Sequence, residues 1–425
     1  MSKYKRYERY KDSGIEWIGE IPEHWEFRRI SHICALGRGR VISKIEIAEN
    51  EGEYPVYSSQ TENNGVLGYI NTYDFEGDYI TWTTDGANAG TVFRRTGRFN
   101  CTNVCGTLKS KENNLDLSYL TYALSLETKR YVRLDINPKL MNNEMAKIRV
   151  LFPPSDEQKA IANFLDQKTA VIDDLIADKE KLIELLQEKR QAIITEAVTK
   201  GLNPNVRMKD SGIEWIGEIP EHWILSKIKY VSLINNKTLS ESTDDDYEID
   251  YIDISSVTSI GEIDGIQRLN FKDAPSRARR ILSKGDTIVS TVRTYLKAIA
   301  FIENVQSNLI CSTGFAVLTP ISKVVPKYLF YLMRSEKYVN EIVRRSVGVS
   351  YPAVNASDIG DLECALPDRD EQMYIVEYLD NCTTQINQLV NDIQAQIQKL
   401  KEYRQSLISE AVTGKIDVRD YVVSN

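Results

Sequence analysis

The side chains best placed to do chemistry here are arginines, amides and hydroxyls, not an acid–base or metal-binding set. Only three histidines occur, His24, His32 and His222, so triads and metal clusters are poorly supplied. The six cysteines include no C-x-x-C pair, which supports neither a zinc ribbon nor a disulfide framework; Cys101 and Cys105 read as ordinary buried residues. No G-x-x-x-x-G-K-S/T phosphate loop is present, and Gly37-Arg38-Gly39-Arg40 lacks the third glycine of a dinucleotide loop. Phe152-Pro153-Pro154-Ser155 lacks the leading Asn and trailing aromatic of an adenine-methyltransferase signature. Glu157-Gln158-Lys159 offers a nuclease-like acid and lysine, but it opens a helix, and its counterpart has Met373 in place of the lysine. It reads as a first-turn acid facing the helix dipole. The residues argue against catalysis.

What remains suits recognition. Arginine forks match phosphate oxygens and the O6/N7 edge of guanine, while Asn and Gln match adenine. One basic and polar set comprises Arg38, Arg40, Lys44, Gln60, Asn63, Thr83, Thr84, Asp85, Asn88, Arg94, Arg95, Asn137 and Lys139. A second comprises Arg277, Arg279, Arg280, Ser290, Thr291, Arg293, Tyr295, Lys297, Ser350 and Tyr351. These are the candidate DNA-binding residues. Arg293 and the Thr83–Asn88 loop are the candidate base readers. The net charge of −8 does not advertise a nucleic-acid binder, but a basic stripe on one face matters more than the total.

The elements that position these sets come in duplicate. Lys11–Trp25 (K-D-S-G-I-E-W-I-G-E-I-P-E-H-W) recurs letter for letter at Lys209–Trp223, 198 positions on. Gly77-Asp78 answers Gly285-Asp286 at an offset of 208, and Tyr119 and Tyr122 answer Tyr328 and Tyr331 at 209. Asp156-Glu157-Gln158 answers Asp370-Glu371-Gln372, and Glu196–Thr199 answers Glu410–Thr413, both at 214. Insertions therefore fall in the middles while the flanks stay in register. The chain reads as a junction segment (1–25), a head (26–152), a helix (153–200), a repeated junction (201–223), a second head (224–366) and a second helix with tail (367–425). Thr83-Thr84-Asp85 and Thr291-Val292-Arg293 follow equivalent strands, so one scaffold position carries different chemistry in each half.

Ser155 with Gln158 is a capping-box signal. Leu165, Ile172, Leu186 and Ile193 share a heptad position interrupted at Lys179, with Leu175 and Leu182 on a neighbouring one. Leu379, Ile386, Ile393, Leu400 and Leu407 repeat the seam, which predicts two long helices in an antiparallel coiled coil about 50 Å long. A pseudo-twofold relation would bring the first junction segment to the end of the second helix, and the termini together. Short β-branched runs separated by Gly, Asn and Asp turns predict mixed α/β heads with a largely antiparallel sheet. Helices are expected over Leu117–Tyr131 and Pro326–Arg344. The fold class is α+β. No apolar run of membrane-spanning length or signal-peptide core is present, so a reducing cytoplasm is the expected compartment.

The paired I-x-W-I-G-x-I-P-x-x-W segments, the paired P-x-x-D-E-Q helix entries (Pro153–Gln158, Pro367–Gln372) and E-A-V-T at both helix ends resemble the specificity subunits of type I restriction–modification systems. The resemblance spans essentially the whole chain. It implies two target recognition domains, each reading half of a split double-stranded DNA site, and a helical spacer that scaffolds two methyltransferase subunits. It implies no cofactor in this chain: S-adenosylmethionine belongs to the methyltransferase partner, and ATP and magnesium to restriction subunits, whose presence the sequence leaves open. A stand-alone DNA-modifying enzyme and a protein-binding coiled-coil adaptor are the competing readings.

Overall fold

A computed structural model describes residues 4–134, 137–305 and 308–421. The chain divides into two compact units, Met1–Lys179 with Ala395–Asn425, and Glu180–Gln394. Each unit thus holds one head and part of each long helix, Ser155–Lys200 and Arg369–Val412.

In the first unit the head holds two four-stranded sheets where one was expected. One orders Cys34–Arg38, Cys105–Ser110, Tyr79–Thr83 and Val92–Arg95, all antiparallel. Its central strand, Tyr-Ile-Thr-Trp-Thr, is built from the β-branched and aromatic residues that fit a pleated surface. Trp82 lies opposite Gly106, where a Cβ would come within 2.2 Å of the indole ring. The other sheet orders Val66–Ile70, Glu51–Tyr57, Arg98–Cys101 and Phe75–Glu76, with a parallel pair at its centre. The second unit repeats both: Ser232–Ile234, Phe315–Pro320, Thr287–Ser290, Ile299–Phe301, and then Gln267–Asn270, Glu248–Ile252, Leu309–Ser312, Ala278–Ile281, again with a parallel central pair. Identical strand order in two segments of different sequence is the structural form of the duplication.

The helix over Leu117–Tyr131 forms as expected, started by the Asp116 side chain accepting from the Tyr119 N–H. Its counterpart is two helices, Pro326–Arg334 and Glu336–Arg345, broken at the extended residue Ser335. There Ser335 Oγ donates to the Leu332 carbonyl, and Thr195 Oγ1 accepts from the freed Glu336 N–H.

The repeated motifs are joints. Each fifteen-residue copy makes a small hairpin, Tyr10–Asp12 with Glu20–Pro22 and Met208–Asp210 with Glu218–Pro220, and ends in a fully buried tryptophan, Trp25 or Trp223. Trp25 Nε1 donates to Glu157 Oε2 at 2.9 Å, and His24 Nε2 lies 2.7 Å from Oε1. Trp223 and His222 repeat this at Glu371, at 3.2 and 2.8 Å. Glu157 is therefore the acceptor that ties the junction to the helix start, which goes beyond its expected role at the helix dipole. The next residue ties the head: Gln158 accepts from the Asp116 N–H and donates to the Pro153 carbonyl, and Gln372 does likewise with Val325 and Pro367. Because Gln158 is used this way, the expected capping box with Ser155 does not form. Tyr122 bonds Asp166 and Thr169, and Tyr331 bonds Asp380 and Thr383, docking each head helix on its long helix.

Within the first unit the two long helices run antiparallel, as Arg404 pairs with Asp173 and Lys179 with Gln396. Within the second, Ile194 and Val198 pack in one core with Ile375 and Leu379, again the antiparallel order. Leu165, Ile172, Leu379, Ile393 and Leu407 are buried as the seam requires, but Leu175 and Leu182 are exposed. The covered neighbour of Ile172 is Ile176 instead. As expected, the first junction segment lies at the end of the second helix: Tyr10 Oη donates to the Gly414 carbonyl, and Lys5 bridges to Asp417. Among the described residues no helix is long and apolar enough to cross a membrane.

Candidate nucleic-acid interface

Thr83, Cys105 and Arg38 lie at one end of the first head's antiparallel sheet, and the loops leaving that end form the candidate surface. Gly86 N–H donates to the Pro138 carbonyl, and Leu140 N–H to the Thr84 carbonyl, so the Asp85–Asn88 loop is strapped to Asn137–Lys139. Asp85 accepts from Asn137 Nδ2 at 3.1 Å and lies 3.8 Å from Lys139 Nζ. Asn88 Nδ2 donates to the Ser59 carbonyl, tying in the Gln60–Asn64 loop. Asn63 and Asn64 there hold left-handed backbone at φ 47° and 52°, a conformation Asn tolerates better than most residues. The structure thus brings together Gln60, Asn63, Asp85, Asn88, Asn137 and Lys139.

It does not bring the whole set together. Thr83 and Thr84 are buried, Thr84 completely: they close the sheet end, with Thr84 N–H on the Val104 carbonyl. Arg95 is also buried, its guanidinium 3.6 Å from the Tyr57 ring centroid and 4.4 Å from that of Phe93, with Nε donating to Thr81 Oγ1. Burial pushes its pKa down, as desolvation disfavours the cation. These three side chains support the loops from beneath and are removed from the contact set. Arg94 pairs opposite Ile80, toward the other end of its strand, and bonds Ser118. Arg38 Nε donates to the Asn103 carbonyl. Arg40 is held by Glu46 at 2.6 Å and Asp74 at 3.0 Å, which offsets its charge toward a phosphate. Lys44 is exposed in a short helix, Lys44–Glu49.

The second head repeats the joint with other side chains. Arg293 N–H donates to the Pro352 carbonyl, Val354 N–H to the Thr291 carbonyl, and Val292 bridges to Ala353. Arg293 and Lys297 both have left-handed backbone, φ 51° and 57°, at a cost of about 1–2 kcal/mol each for residues with a Cβ. Such outliers persist where surrounding structure fixes them, and they cluster at functional sites. Arg293, Tyr295, Lys297, Ser350 and Tyr351 are exposed at this joint. Ser290 is buried, its Oγ donating to the Val292 carbonyl, and Thr291 Oγ1 donates to the Gly314 carbonyl. Those two hydroxyls shape the turn, and Ser290 leaves the contact set. Arg277 pairs with Asp253, Arg279 packs over Phe271, and Arg280 bonds Thr238. Val347 and Val349, which the sequence reading does not single out, are both strongly exposed beside Tyr351. Their signal is the glycine-containing Val347-Gly348-Val349-Ser350 run.

Comparison with known proteins agrees with this architecture. A family profile described as "Type I restriction modification DNA specificity domain" matches residues 22–185 and 220–399. The N-terminal fragment S.MpnORF289P of Mycoplasma pneumoniae is 49% identical over 139 residues, 32% of this chain and 74% of that one. The MpnII specificity subunit of the same organism is 41% identical over 166 residues, 39% of this chain and 50% of that one. The MjaVIII specificity subunit of Methanocaldococcus jannaschii is 25% identical across 94% of this chain and 95% of its own length. A solved structure described as "Structural basis underlying complex assembly and conformational transition of the type I R-M system" shares the fold, with a TM-score of 0.66 at 14% identity over 92% of this chain and 98% of that one. The chain belongs to the type I restriction–modification DNA specificity family. It is a non-catalytic specificity subunit with two target recognition domains.

Proposed function

We propose that each head reads one half of a bipartite double-stranded DNA site through the loops at its sheet end, and that the paired helices set the gap between the half-sites. The observation that carries this reading is the matched joint. Gly86 on Pro138 and Arg293 on Pro352 are the same backbone strap in two heads of identical strand order, yet one presents Asp, Asn and Lys and the other Arg and Tyr. A shared frame with exchanged side chains is what two readers of different sequences require.

The helices also scaffold two methyltransferase subunits, which carry S-adenosylmethionine; restriction subunits, where they join, carry ATP and magnesium. The match to the MjaVIII specificity subunit along nearly its full length supports assembly into a type I restriction enzyme. Many head arginines are already engaged by carboxylates, which supports weak DNA binding by the chain alone. Gel shifts on random duplex at low and high salt, with and without methyltransferase subunits, test the proposal. Binding that tightens with the subunits and weakens steeply with salt is expected, because each neutralised phosphate releases counterions. Absence of DNA binding by the assembled complex would leave a protein-only adaptor.

A further inference from the structure

Among the arginines of the second head without a carboxylate partner, Arg279 and Arg280 are half-buried, against Phe271 and Thr238, whereas Arg293 is exposed. Arg268 and Arg277 are paired with Asp250 and Asp253, and Arg344 and Arg345 with Glu341. Among the described residues no carboxylate pairs with Arg293. Its guanidinium lies 4.5 Å over the Tyr351 ring. Its backbone is held from both sides: N–H on the Pro352 carbonyl at 2.8 Å, and its carbonyl accepting from the Leu296 N–H at 2.9 Å. Thr294, the next residue, is buried and bonds Ser346 at 2.8 Å. The loop that carries Tyr351 is closed in turn by the reciprocal Val347 and Ala353 hydrogen bonds. An exposed arginine that is unpaired, strained and pinned is an arrangement that surface solvation alone does not explain.

Stacking on an aromatic face occupies the π face of a guanidinium and leaves its in-plane N–H donors free. Two parallel donors match the adjacent O6 and N7 acceptors of guanine in the major groove, which no other base edge presents. Tyr351, 64% exposed, fixes the plane of the fork and thereby the direction of those donors. We infer that Arg293 reads a guanine in the half-site of the second head and that Tyr351 is its positioning residue. The first head has no equivalent fork: Gly86 holds the position that matches Arg293, with its N–H on the Pro138 carbonyl, and its neighbour Asp85 is an acceptor already facing Asn137 and Lys139. The guanine requirement therefore belongs to one half-site only. The inference rests on the two-reader proposal above.

The test is selection of bound duplexes from a random-sequence pool by the full chain assembled with its methyltransferase subunits. The wild type is expected to yield an obligatory guanine in one half-site. Arg293→Ala should make that position degenerate, with a loss of preference of roughly ten- to hundredfold, and leave the other half-site and the gap unchanged. Arg293→Lys should not restore it, because an ammonium is not a planar fork. Tyr351→Ala should relax the same position in part, and Tyr351→Phe, which keeps the ring, should restore it. A uniform loss of affinity with an unchanged motif would make Arg293 a phosphate anchor and overturn the inference. So would relaxation at a base other than guanine, or a Tyr351→Ala variant that selects the wild-type motif. A wild-type motif that is continuous, without two half-sites, would instead overturn the two-reader proposal itself.

Discussion

Removing the Glu157 carboxylate should cost the first unit more than removing Glu371 costs the second. Glu157 is 7% exposed and accepts from Trp25, itself fully buried, at 2.9 Å and contacts His24 at 2.7 Å. Glu157→Ala leaves the indole N–H without an acceptor where water cannot replace it. An unsatisfied buried donor costs about 1–3 kcal/mol, and the lost charge-assisted bond brings the expected total to about 2–3 kcal/mol. Glu371 has a side chain 27% exposed and a longer indole contact of 3.2 Å, so water can enter after truncation, and about 1 kcal/mol is expected. For a unit of this size each kcal/mol moves the melting temperature by about 2–4 °C. Calorimetry of the full chain should therefore show a fall of about 4–12 °C in the affected transition for Glu157→Ala and about 2–4 °C for Glu371→Ala. Glu157→Gln keeps a carbonyl oxygen for Trp25 and should recover much of the loss. Equal costs at the two sites, or a Gln variant as damaging as Ala, would refute the reasoning.

Further outcomes follow from other local geometry. Burial raises the Glu127 carboxyl to about 7 against the opposing Arg130 charge. Its contribution to stability is thus complete below the unfolded carboxyl's value and is lost as pH rises through about 7. Glu127→Gln should raise the melting temperature at pH 8 and leave it nearly unchanged at pH 4, as read by thermal denaturation at the two pH values. Gly414 has φ +69°, and a Cβ there would come within 2.4 Å of Pro22, whereas Gly201 (φ +76°) has only Glu371 Oε1 as close as 3.1 Å. Gly414→Ala should cost about 2–4 kcal/mol and Gly201→Ala about 1 kcal/mol in denaturant titrations. Arg404 makes a bidentate pair with Asp173 on the helix surface. Arg404→Ala should shift stability by less than about 1 kcal/mol, because exposed ion pairs contribute little.

The scaffold was legible because it is duplicated. The constant offsets at the flanks located the joints, and Leu117–Tyr131 emerged with the expected bounds because Asp116 caps it locally. Glu157 was read too narrowly for a physical reason: its partner Trp25 is 132 residues away, and a local reading sees only the helix dipole. The seam position of Leu175 and Leu182 failed because apolar spacing gives a stripe but not which edge of it meets the partner helix. Thr83, Thr84 and Ser290 look like loop-tip polar residues in sequence. The threonines are covered where the Thr84 backbone is strapped to Val104 and Leu140, which spacing does not encode, and the Ser290 hydroxyl turns back locally onto the Val292 carbonyl. Arg95 was misplaced because an arginine with aromatic neighbours in space, Tyr57 and Phe93, folds inward. The joint formed by Pro138 and Pro352 was visible as a matched pair of prolines, though the role of their carbonyls as acceptors for the recognition loop's N–H required the structure.

The central claim is that two heads read two separate half-sites. Methylome sequencing of a host carrying this chain with its methyltransferase partners tests it most directly. The account predicts methylated adenines confined to a motif with two specified ends and a fixed non-specific gap of several base pairs. A continuous motif with every position specified would contradict it.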